Sequence, residues 1–139
     1  MILIDTNIIS EIMKPVPDPI VMEWIDQQEI VQLFVSAITI AEISYGINAL
    51  PKGRRPRDLE NAFNKAIQEG FIGRILPFDE SAAHLYGIIM STKKKLGTPL
   101  GVPDGQIAAI ARVHSASVAT RNVRDFASCG LTLINPFVK

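Results

Sequence analysis

Short apolar runs alternate with segments of helical spacing along the chain, and this alternation constrains the fold more than any other feature of the sequence. Five runs have the composition of strands: Met1–Ile4, Val31–Ser36, Arg74–Leu76, Ser117–Thr120 and Leu131–Ile134. Six other segments have helical spacing or composition: Ile8–Met13, Ile20–Gln27, Ile38–Leu50, Arg57–Gly70, Ser81–Leu96 and Gly105–His114. Several strands are apolar on both faces, which is typical of a parallel sheet covered by helices on each side. The sequence therefore predicts an α/β fold, a three-layer α/β/α sandwich with a mainly parallel sheet of four to five strands.

The chain has the size and composition of one domain. Its 139 residues allow one sizeable core, and no repeat, low-complexity tract or linker divides them. We therefore expect a single domain, residues 1–139. The start of the chain lacks the basic region of a signal peptide, and the apolar stretch Ile30–Ala41 is shorter than the roughly 20 residues that a membrane span needs. We expect a cytoplasmic protein with no membrane segment.

The formal net charge is zero, which at first argues against nucleic acid as a partner. The zero is a cancellation, because residues 1–50 carry one basic and seven acidic side chains, whereas residues 51–139 carry thirteen basic and seven acidic ones. Neutrality therefore excludes strong, indiscriminate attraction to nucleic acid but leaves selective recognition of RNA open. One cysteine and two histidines offer no set of soft metal ligands, so any bound metal would be held by oxygen atoms.

Three carboxylates stand where a charge is unexpected. Asp5 ends the first apolar strand, Glu42 lies among apolar residues, and Asp104 lies where a loop becomes an apolar helix. Each also has a local explanation. Asp5 and Asp104 could cap the helices that follow them, and Glu42 could form a capping box with Thr39, three residues before it.

The three carboxylates together indicate more than each does alone. An α/β sheet can bring the ends of these elements to one edge, where like charges would repel one another unless a cation neutralised them. Mg²⁺ suits a sparse Asp/Glu/Asp site, and Mn²⁺ is the alternative ion. Such an ion can polarise a phosphoryl oxygen and activate a water molecule. The pattern therefore indicates hydrolysis of phosphodiester bonds, with three unrelated helix caps as the alternative.

Six segments carry a set of motifs that runs almost from end to end of the chain: Ile2–Glu11, Ser36–Gly46, Gly73–Asp79, Asp104–Ala109, Ala119–Phe126 and Ile134–Phe137. In these motifs and their order the chain resembles the PIN-domain family, and within it the FitB-like, VapC-type toxin ribonucleases of type II toxin–antitoxin systems. The resemblance implies a PIN-like fold and a metal-dependent endoribonuclease whose catalytic, metal-binding carboxylates are Asp5, Glu42 and Asp104, supported by Thr6 and Asn7. It also implies an RNA substrate, a cognate VapB-like, DNA-binding antitoxin, and a homodimer.

One position departs from the family pattern. Many relatives carry a fourth acidic residue where this chain has Asn122, and Asp125 follows three residues later. Either Asn122 acts through a water molecule or Asp125 turns inward as the fourth carboxylate, and we favour a single tightly held metal. Asp125 could equally be a solvated turn residue beside Arg124. Arg121 could contact a scissile phosphate or brace the acidic cluster through a charge-assisted hydrogen bond.

Four positive charges fall within six residues, at Lys52, Arg54, Arg55 and Arg57. They are candidate contacts to an RNA backbone, but no aromatic residue lies among them to stack on bases, and a solvated loop explains them equally well. The competing function is a catalytically silent module that binds nucleic acid or a protein partner on the same fold. Such a module would keep the basic loop without needing the carboxylates.

Overall fold

A computed structural model describes the whole chain, Met1–Lys139, and its centre is a sheet of five parallel strands. The strands are β1 Ile2–Ile4, β2 Leu33–Ser36, β3 Ile75–Leu76, β4 Ser117–Ala119 and β5 Leu133–Ile134. Their order across the sheet is β3-β2-β1-β4-β5, so β1 lies in the middle with β2 and β4 beside it. Every pairing is parallel, which confirms the predicted sheet at the upper of the two expected strand numbers.

Six α-helices and one short 3₁₀ helix surround the sheet. The α-helices are α1 Thr6–Ile12, α2 Pro19–Asp26, α3 Ala37–Asn48, α4 Arg54–Gly70, α5 Glu80–Lys95 and α6 Val102–Val113, and the 3₁₀ helix is Ile30–Gln32. Helix α4 begins at Arg54 rather than the predicted Arg57, and α6 begins three residues before the predicted Gly105. In both, the early turn contains a proline, Pro56 or Pro103, whose missing N–H costs little because the first N–H groups of a helix have no partner within it.

Helices cover both faces of the sheet, because alternate side chains of each strand point to opposite faces. On one face, Leu3 packs in a core that includes Ile107 and other residues of α5 and α6. On the other face, Ile4 packs with Ile8 and with apolar residues of α1, α2, α3 and α4. The predicted three-layer sandwich is therefore confirmed. None of the helices combines the length and the apolar composition that crossing a membrane would require.

Helices α5 and α6 approach each other closely at a buried glycine of α6. A Cβ atom on Gly105 would overlap the sulfur of Met90 and lie 3.1 Å from Cε2 of Tyr86, both on α5. The close packing fixes the first turn of α6 against its neighbour. Asp104, the residue before Gly105, lies in that turn.

Gly105→Ala should destabilise the protein relative to Gly87→Ala. Both changes bring the helix-propensity gain of alanine, about 1 kcal/mol at most, but a Cβ on Gly87 meets no atom within 4 Å. Overpacking typically costs about 1–3 kcal/mol, so the free energies of unfolding in urea should differ by about that amount. Equal stabilities would show that α5 can move aside without cost.

Candidate metal-binding active site

The candidate site lies beyond the carboxyl ends of β1, β2 and β4. Because β1 pairs in parallel with both neighbours, the residues after the three strands meet at one edge of the sheet. These residues are polar: Asp5 follows β1, Ser36 ends β2 and Thr120 follows β4. The backbone N–H of Asp5 donates to the carbonyl of Ala119 at 2.9 Å, which continues the pairing of β1 with β4 into the site.

Asp5 is buried, with 3% of its surface exposed, and its carboxylate is surrounded by donors. Thr120 Oγ1 donates to Oδ2 at 2.7 Å, Asn7 Nδ2 donates to the same oxygen at 3.3 Å, and the Thr6 N–H donates to Oδ1 at 2.8 Å. The bond from Thr6 makes Asp5 the N-cap of α1, so the capping role is confirmed and does not exclude a role in the site. Burial raises the pKa of Asp5, and the hydrogen bonds from Thr120 and Thr6 oppose this rise.

Glu42 points to the same region from α3. The hydroxyl of Thr6 donates to Oε1 of Glu42 at 2.7 Å, and the same hydroxyl oxygen lies 3.0 Å from Oγ1 of Thr39. The capping box of Thr39 with Glu42 is wrong, because α3 begins at Ala37 and its N-cap is Ser36, which accepts from the Thr39 N–H. Glu42 is therefore a residue of the helix interior, and its carboxylate is held by Thr6 rather than by a helix end.

Asp104 lies in the first turn of α6. Its predicted role as the N-cap is wrong, because the helix begins at Val102 and Gly101 occupies the cap position. Burial raises the pKa of Asp104 from 3.8 to about 6, and the charges of Asp5, Glu42 and Asp125 add to this rise. Asp5 and Glu42 are therefore close enough to Asp104 to disfavour its charged form.

A polar pocket of about 360 Å³ joins most of the predicted site residues, and we call it the acidic pocket. None of the ten residues that line it is hydrophobic: Asp5, Thr6, Asn7, Ser10, Glu11, Lys14, Glu42, Asp104, Arg121 and Asn122. It contains the three predicted carboxylates and all four predicted supporting residues. Asp125 and the basic residues 52–57 lie outside its lining.

Of the two candidates for a fourth metal ligand, Asn122 lines the acidic pocket and Asp125 does not. The backbone N–H of Asn122 donates to Thr120 Oγ1 at 2.9 Å, which ties it to the hydroxyl that holds Asp5. Asp125 is exposed in the turn that follows, and its backbone N–H donates to the carbonyl of Asn122 at 3.0 Å. The charge of Asp125 reaches Asp104 without its side chain lining the pocket. A ligand role for Asp125 stays a prediction.

Glu11 is a fourth carboxylate in the acidic pocket that sequence reasoning missed. It is buried, and Lys14 Nζ donates to its Oε1 at 3.0 Å while the Asp18 N–H donates to Oε2 at 3.1 Å. Arg121 Nη2 lies 3.6 Å from Oε1. The hydrogen bond from Lys14, then that from the Asp18 backbone, lowers the pKa of Glu11. The spacing of Glu11 and Lys14 is a weak sequence signal, but nothing local indicates that Arg121 joins them.

Three of the four predicted basic residues, Arg54, Arg55 and Arg57, lie in the first turn of α4 rather than in a loop, and none of the four lines the acidic pocket. Arg54 and Arg55 line a neighbouring apolar groove, and Lys52 and Arg57 line neither the groove nor the acidic pocket. Arg54 lies 3.9 Å from Asp58, and both side chains are largely exposed, so this ion pair is weak. An RNA-binding role for these four residues stays a prediction.

The chemistry of the acidic pocket fits a hard divalent cation. Its candidate ligands are carboxylate oxygens and the amide oxygen of Asn122, with no histidine or cysteine. No group of three or more Asp, Glu, His or Cys side chains is arranged to hold one ion together. This is compatible with Mg²⁺, which keeps several waters and takes only one or two carboxylates directly.

Comparisons with known proteins identify the family to which this fold belongs. The family model described as PIN domain matches residues 2–129. VapC ribonuclease Y4jK from Sinorhizobium fredii is 43% identical over 137 residues, which cover 99% of this chain and 98% of that protein. Toxin FitB from Neisseria gonorrhoeae is 40% identical over 137 residues, 99% of each protein. The chain therefore belongs to the PIN-domain family.

A solved structure gives the same result at the level of the fold. FitAB bound to a DNA fragment superposes with a TM-score of 0.92 at 40% identity, over 100% of this chain and 97% of that one. The two relatives described above are named as a nuclease and as a toxin. Within the PIN-domain family this chain is thus a nuclease of the toxin type, which confirms the resemblance in its motifs.

Asp104→Asn should stabilise the metal-free protein at neutral pH. Because the pKa of Asp104 is raised from 3.8 to about 6 in the folded protein, ionisation destabilises the fold increasingly between those values, and the cost is complete above them. Asparagine avoids this cost. With allowance for solvent screening of a half-buried group, we expect a gain of about 1 kcal/mol, measured by denaturant unfolding in EDTA across a pH series. The gain should shrink as the pH falls below 6, and a gain that grows toward acid pH would contradict the assignment.

Proposed function

We propose that this protein is the toxin of a type II toxin–antitoxin system and a Mg²⁺-dependent endoribonuclease that hydrolyses RNA phosphodiester bonds. The observation that carries the proposal is the convergence of Asp5, Glu42 and Asp104 on one pocket without a hydrophobic residue. The name of the relative VapC ribonuclease, matched over 99% of the chain, supports RNA as the substrate. We assign the activity to the cytoplasm and to residues 1–139 acting as one PIN-like domain.

The groups of the acidic pocket orient the carboxylates before substrate binds. Thr120 and the Thr6 N–H fix the two oxygens of Asp5, and the Thr6 hydroxyl fixes Glu42. Such hydrogen bonds restrict the direction of a metal-binding carboxylate and increase affinity for the ion. Asp5, Glu42 and Asp104 would hold the divalent ion. When bound, the ion supplies a Lewis acid for a phosphoryl oxygen and makes a water molecule acidic enough to act as the nucleophile.

The charge of the acidic pocket favours one divalent ion. Four carboxylates and two cations line it, which gives a formal charge of minus two that one Mg²⁺ would cancel. A second ion would leave an excess of positive charge unless a further anion entered. Because Asn122 contributes an oxygen but no charge, the count supports our expectation of a single tightly held metal.

A silent binding module is the alternative function. Its support would be the four basic residues within 52–57, but none of them lines the acidic pocket, and Lys52 and Arg57 lie outside both cavities. The desolvated carboxylates favour the enzyme, because a pure binding module gains nothing from an Asp104 whose pKa is raised by burial and by the charges of Asp5 and Glu42. The homodimer implied by the family resemblance stays a prediction.

An apolar groove of about 920 Å³ between α1, α3 and α4 offers a site for the antitoxin. The groove and the acidic pocket share four residues: Thr6, Ser10, Lys14 and Glu42. We propose that a segment of a VapB-like antitoxin lies in the groove and that an arginine from it reaches the carboxylates. Binding of DNA would belong to the antitoxin, and the related complex FitAB has been solved bound to a DNA fragment.

Asp5→Asn should abolish Mg²⁺-dependent cleavage of RNA. Loss of one ligand charge removes several kcal/mol of transition-state stabilisation, so the cleavage rate should fall about 100-fold or more. The measurement is gel analysis of labelled total RNA incubated with the purified protein, with and without Mg²⁺. Asp26→Asn is the matched control, because it makes the same change at an exposed carboxylate of α2.

Two results would count against the enzyme. An Asp5→Asn protein that cleaves as fast as the parent would show that Asp5 is not a ligand. A parent protein that binds RNA but never cleaves it, with Mg²⁺ or Mn²⁺, would favour the binding module.

Gly46→Leu should weaken antitoxin binding without loss of cleavage. A Cβ on Gly46 meets no atom within 4 Å, so the leucine side chain would project into the groove that Gly46 lines. We expect the affinity for the antitoxin, measured by calorimetry, to fall at least about tenfold and inhibition of cleavage to weaken with it. Gly87→Leu is the control, because Gly87 is equally open but lies on α5. Full inhibition of the Gly46→Leu protein would exclude the groove as the docking site.

A further inference from the structure

Two cations line the acidic pocket beside its three candidate ligand carboxylates. Lys14 lies just after α1, and Arg121 lies just after β4. Their side chains are 58% and 53% exposed, so several of their N–H donors are free to meet a ligand. Neither can bind a metal ion, because both side chains are positively charged, as the ion is. Their place in a metal-binding pocket therefore requires a separate explanation.

One buried carboxylate holds both cations. The side chain of Glu11 is 6% exposed, and its Oε1 lies 3.0 Å from Lys14 Nζ and 3.6 Å from Arg121 Nη2. Its other oxygen accepts the Asp18 N–H at 3.1 Å. With both oxygens engaged, Glu11 is not a free ligand for an ion. It instead holds two cations from distant parts of the chain side by side.

Arg121 is fixed by two further contacts. Its guanidinium carbon lies 3.6 Å from the centroid of the Phe137 ring, a cation–π arrangement. Its backbone N–H donates to Asn7 Oδ1 at 3.2 Å, and the amide of Asn7 also donates to Asp5. A long side chain held in this way loses less conformational entropy when it binds a ligand. The cation is therefore preorganised next to the carboxylates.

We propose that Lys14 and Arg121 form a binding site for a backbone phosphate of the RNA, adjacent to the metal-binding carboxylates. The site rests on the proposed function and specifies how the substrate is positioned for it. Phe137 and Glu11 are positioning residues, because they act on the RNA only through the two cations.

The chemistry of the pocket fits a phosphodiester. The lining has no hydrophobic residue, which suits a charged and hydrated group. Arginine offers a planar fork of donors and lysine a compact charge, and both are ordinary phosphate ligands. Without an ion the net negative charge of the pocket would repel RNA, so the phosphate should bind well only when a divalent ion is present.

The test compares RNA binding by Lys14→Met and Arg121→Gln with binding by the parent and by Lys65→Met, which removes an exposed cation outside both cavities. The probe is a short fluorescent single-stranded RNA of mixed sequence, and anisotropy is recorded at several salt concentrations. Ca²⁺ replaces Mg²⁺ so that the RNA stays intact, which gel analysis of the recovered RNA verifies.

We expect Lys14→Met and Arg121→Gln each to bind the RNA about threefold to tenfold more weakly than the parent protein. The slope of log affinity against log salt should fall by about 0.7 for each phosphate contact removed. Arg121→Lys keeps the charge and should recover most of the slope, which a merely structural role would not produce. Glu11→Gln removes a negative charge yet should weaken RNA binding, because it releases both cations. Mn²⁺ affinity, measured by electron paramagnetic resonance, should not fall in Lys14→Met or Arg121→Gln.

The outcomes separate this proposal from the proposed function. If the parent cleaves RNA but Lys14→Met and Arg121→Gln bind it as Lys65→Met does, the phosphate site is wrong and the nuclease stands. If the parent neither binds nor cleaves RNA with any divalent ion, both are wrong. If the two variants lose affinity for the antitoxin but not for RNA, the cations serve an acidic group of the antitoxin and the proposal is overturned.

Discussion

The hydrogen bond from Thr120 to Asp5 is the interaction on which the site depends. It joins the residue after β4 to the residue after β1 at 2.7 Å, and both residues are buried. A buried carboxylate without donors would be costly, so Asp5 can follow a core strand because three donors surround it, and the shortest of these hydrogen bonds comes from the hydroxyl that follows β4. The parallel pairing of Ile4 with Ala119 sets this register. The position of the carboxylate is thus a consequence of the sheet.

Much of this architecture could be predicted from the sequence because its signals are local. A carboxylate at the end of an apolar run indicated that Asp5 is a site residue. Apolar runs that alternate with segments of helical spacing indicated the parallel sheet. The local explanations for Glu42 and Asp104 failed because α3 and α6 begin earlier than their apolar spacing indicates, with Ser36 and Gly101 as caps. These boundaries depend on packing and on cap geometry.

Glu11 shows where sequence reasoning ends. Its partnership with Lys14 follows from helical spacing, but Arg121 reaches it only because β4 lies beside β1. No property of either segment alone predicts that contact. The motif resemblance identified the residues that could bind a metal, and Arg121 as a candidate phosphate contact. The places of Lys14 and Glu11 in the same pocket became recognisable only from the three-dimensional arrangement.

The pocket imposes opposite electrostatic conditions on its acids. Burial raises the pKa of Asp5 and Asp104, whereas the hydrogen bond from Lys14 lowers that of Glu11. The opposed pKa shifts distinguish Asp5 and Asp104, which a bound cation could neutralise, from Glu11, whose charge Lys14 and Arg121 already balance. Ionisation of Asp5 and Asp104, whose pKa values are raised, reduces the stability of the metal-free protein, a cost that proteins commonly bear at functional sites.

The positions of the pocket residues along the chain have a consequence for the timing of assembly. Asp5 is synthesised first among them, whereas Arg121 and Asn122 are the last residues of the pocket to be synthesised. A chain still growing on the ribosome, or one truncated before β4, has no complete pocket, so translation of this protein is nearly finished before its acidic site can assemble.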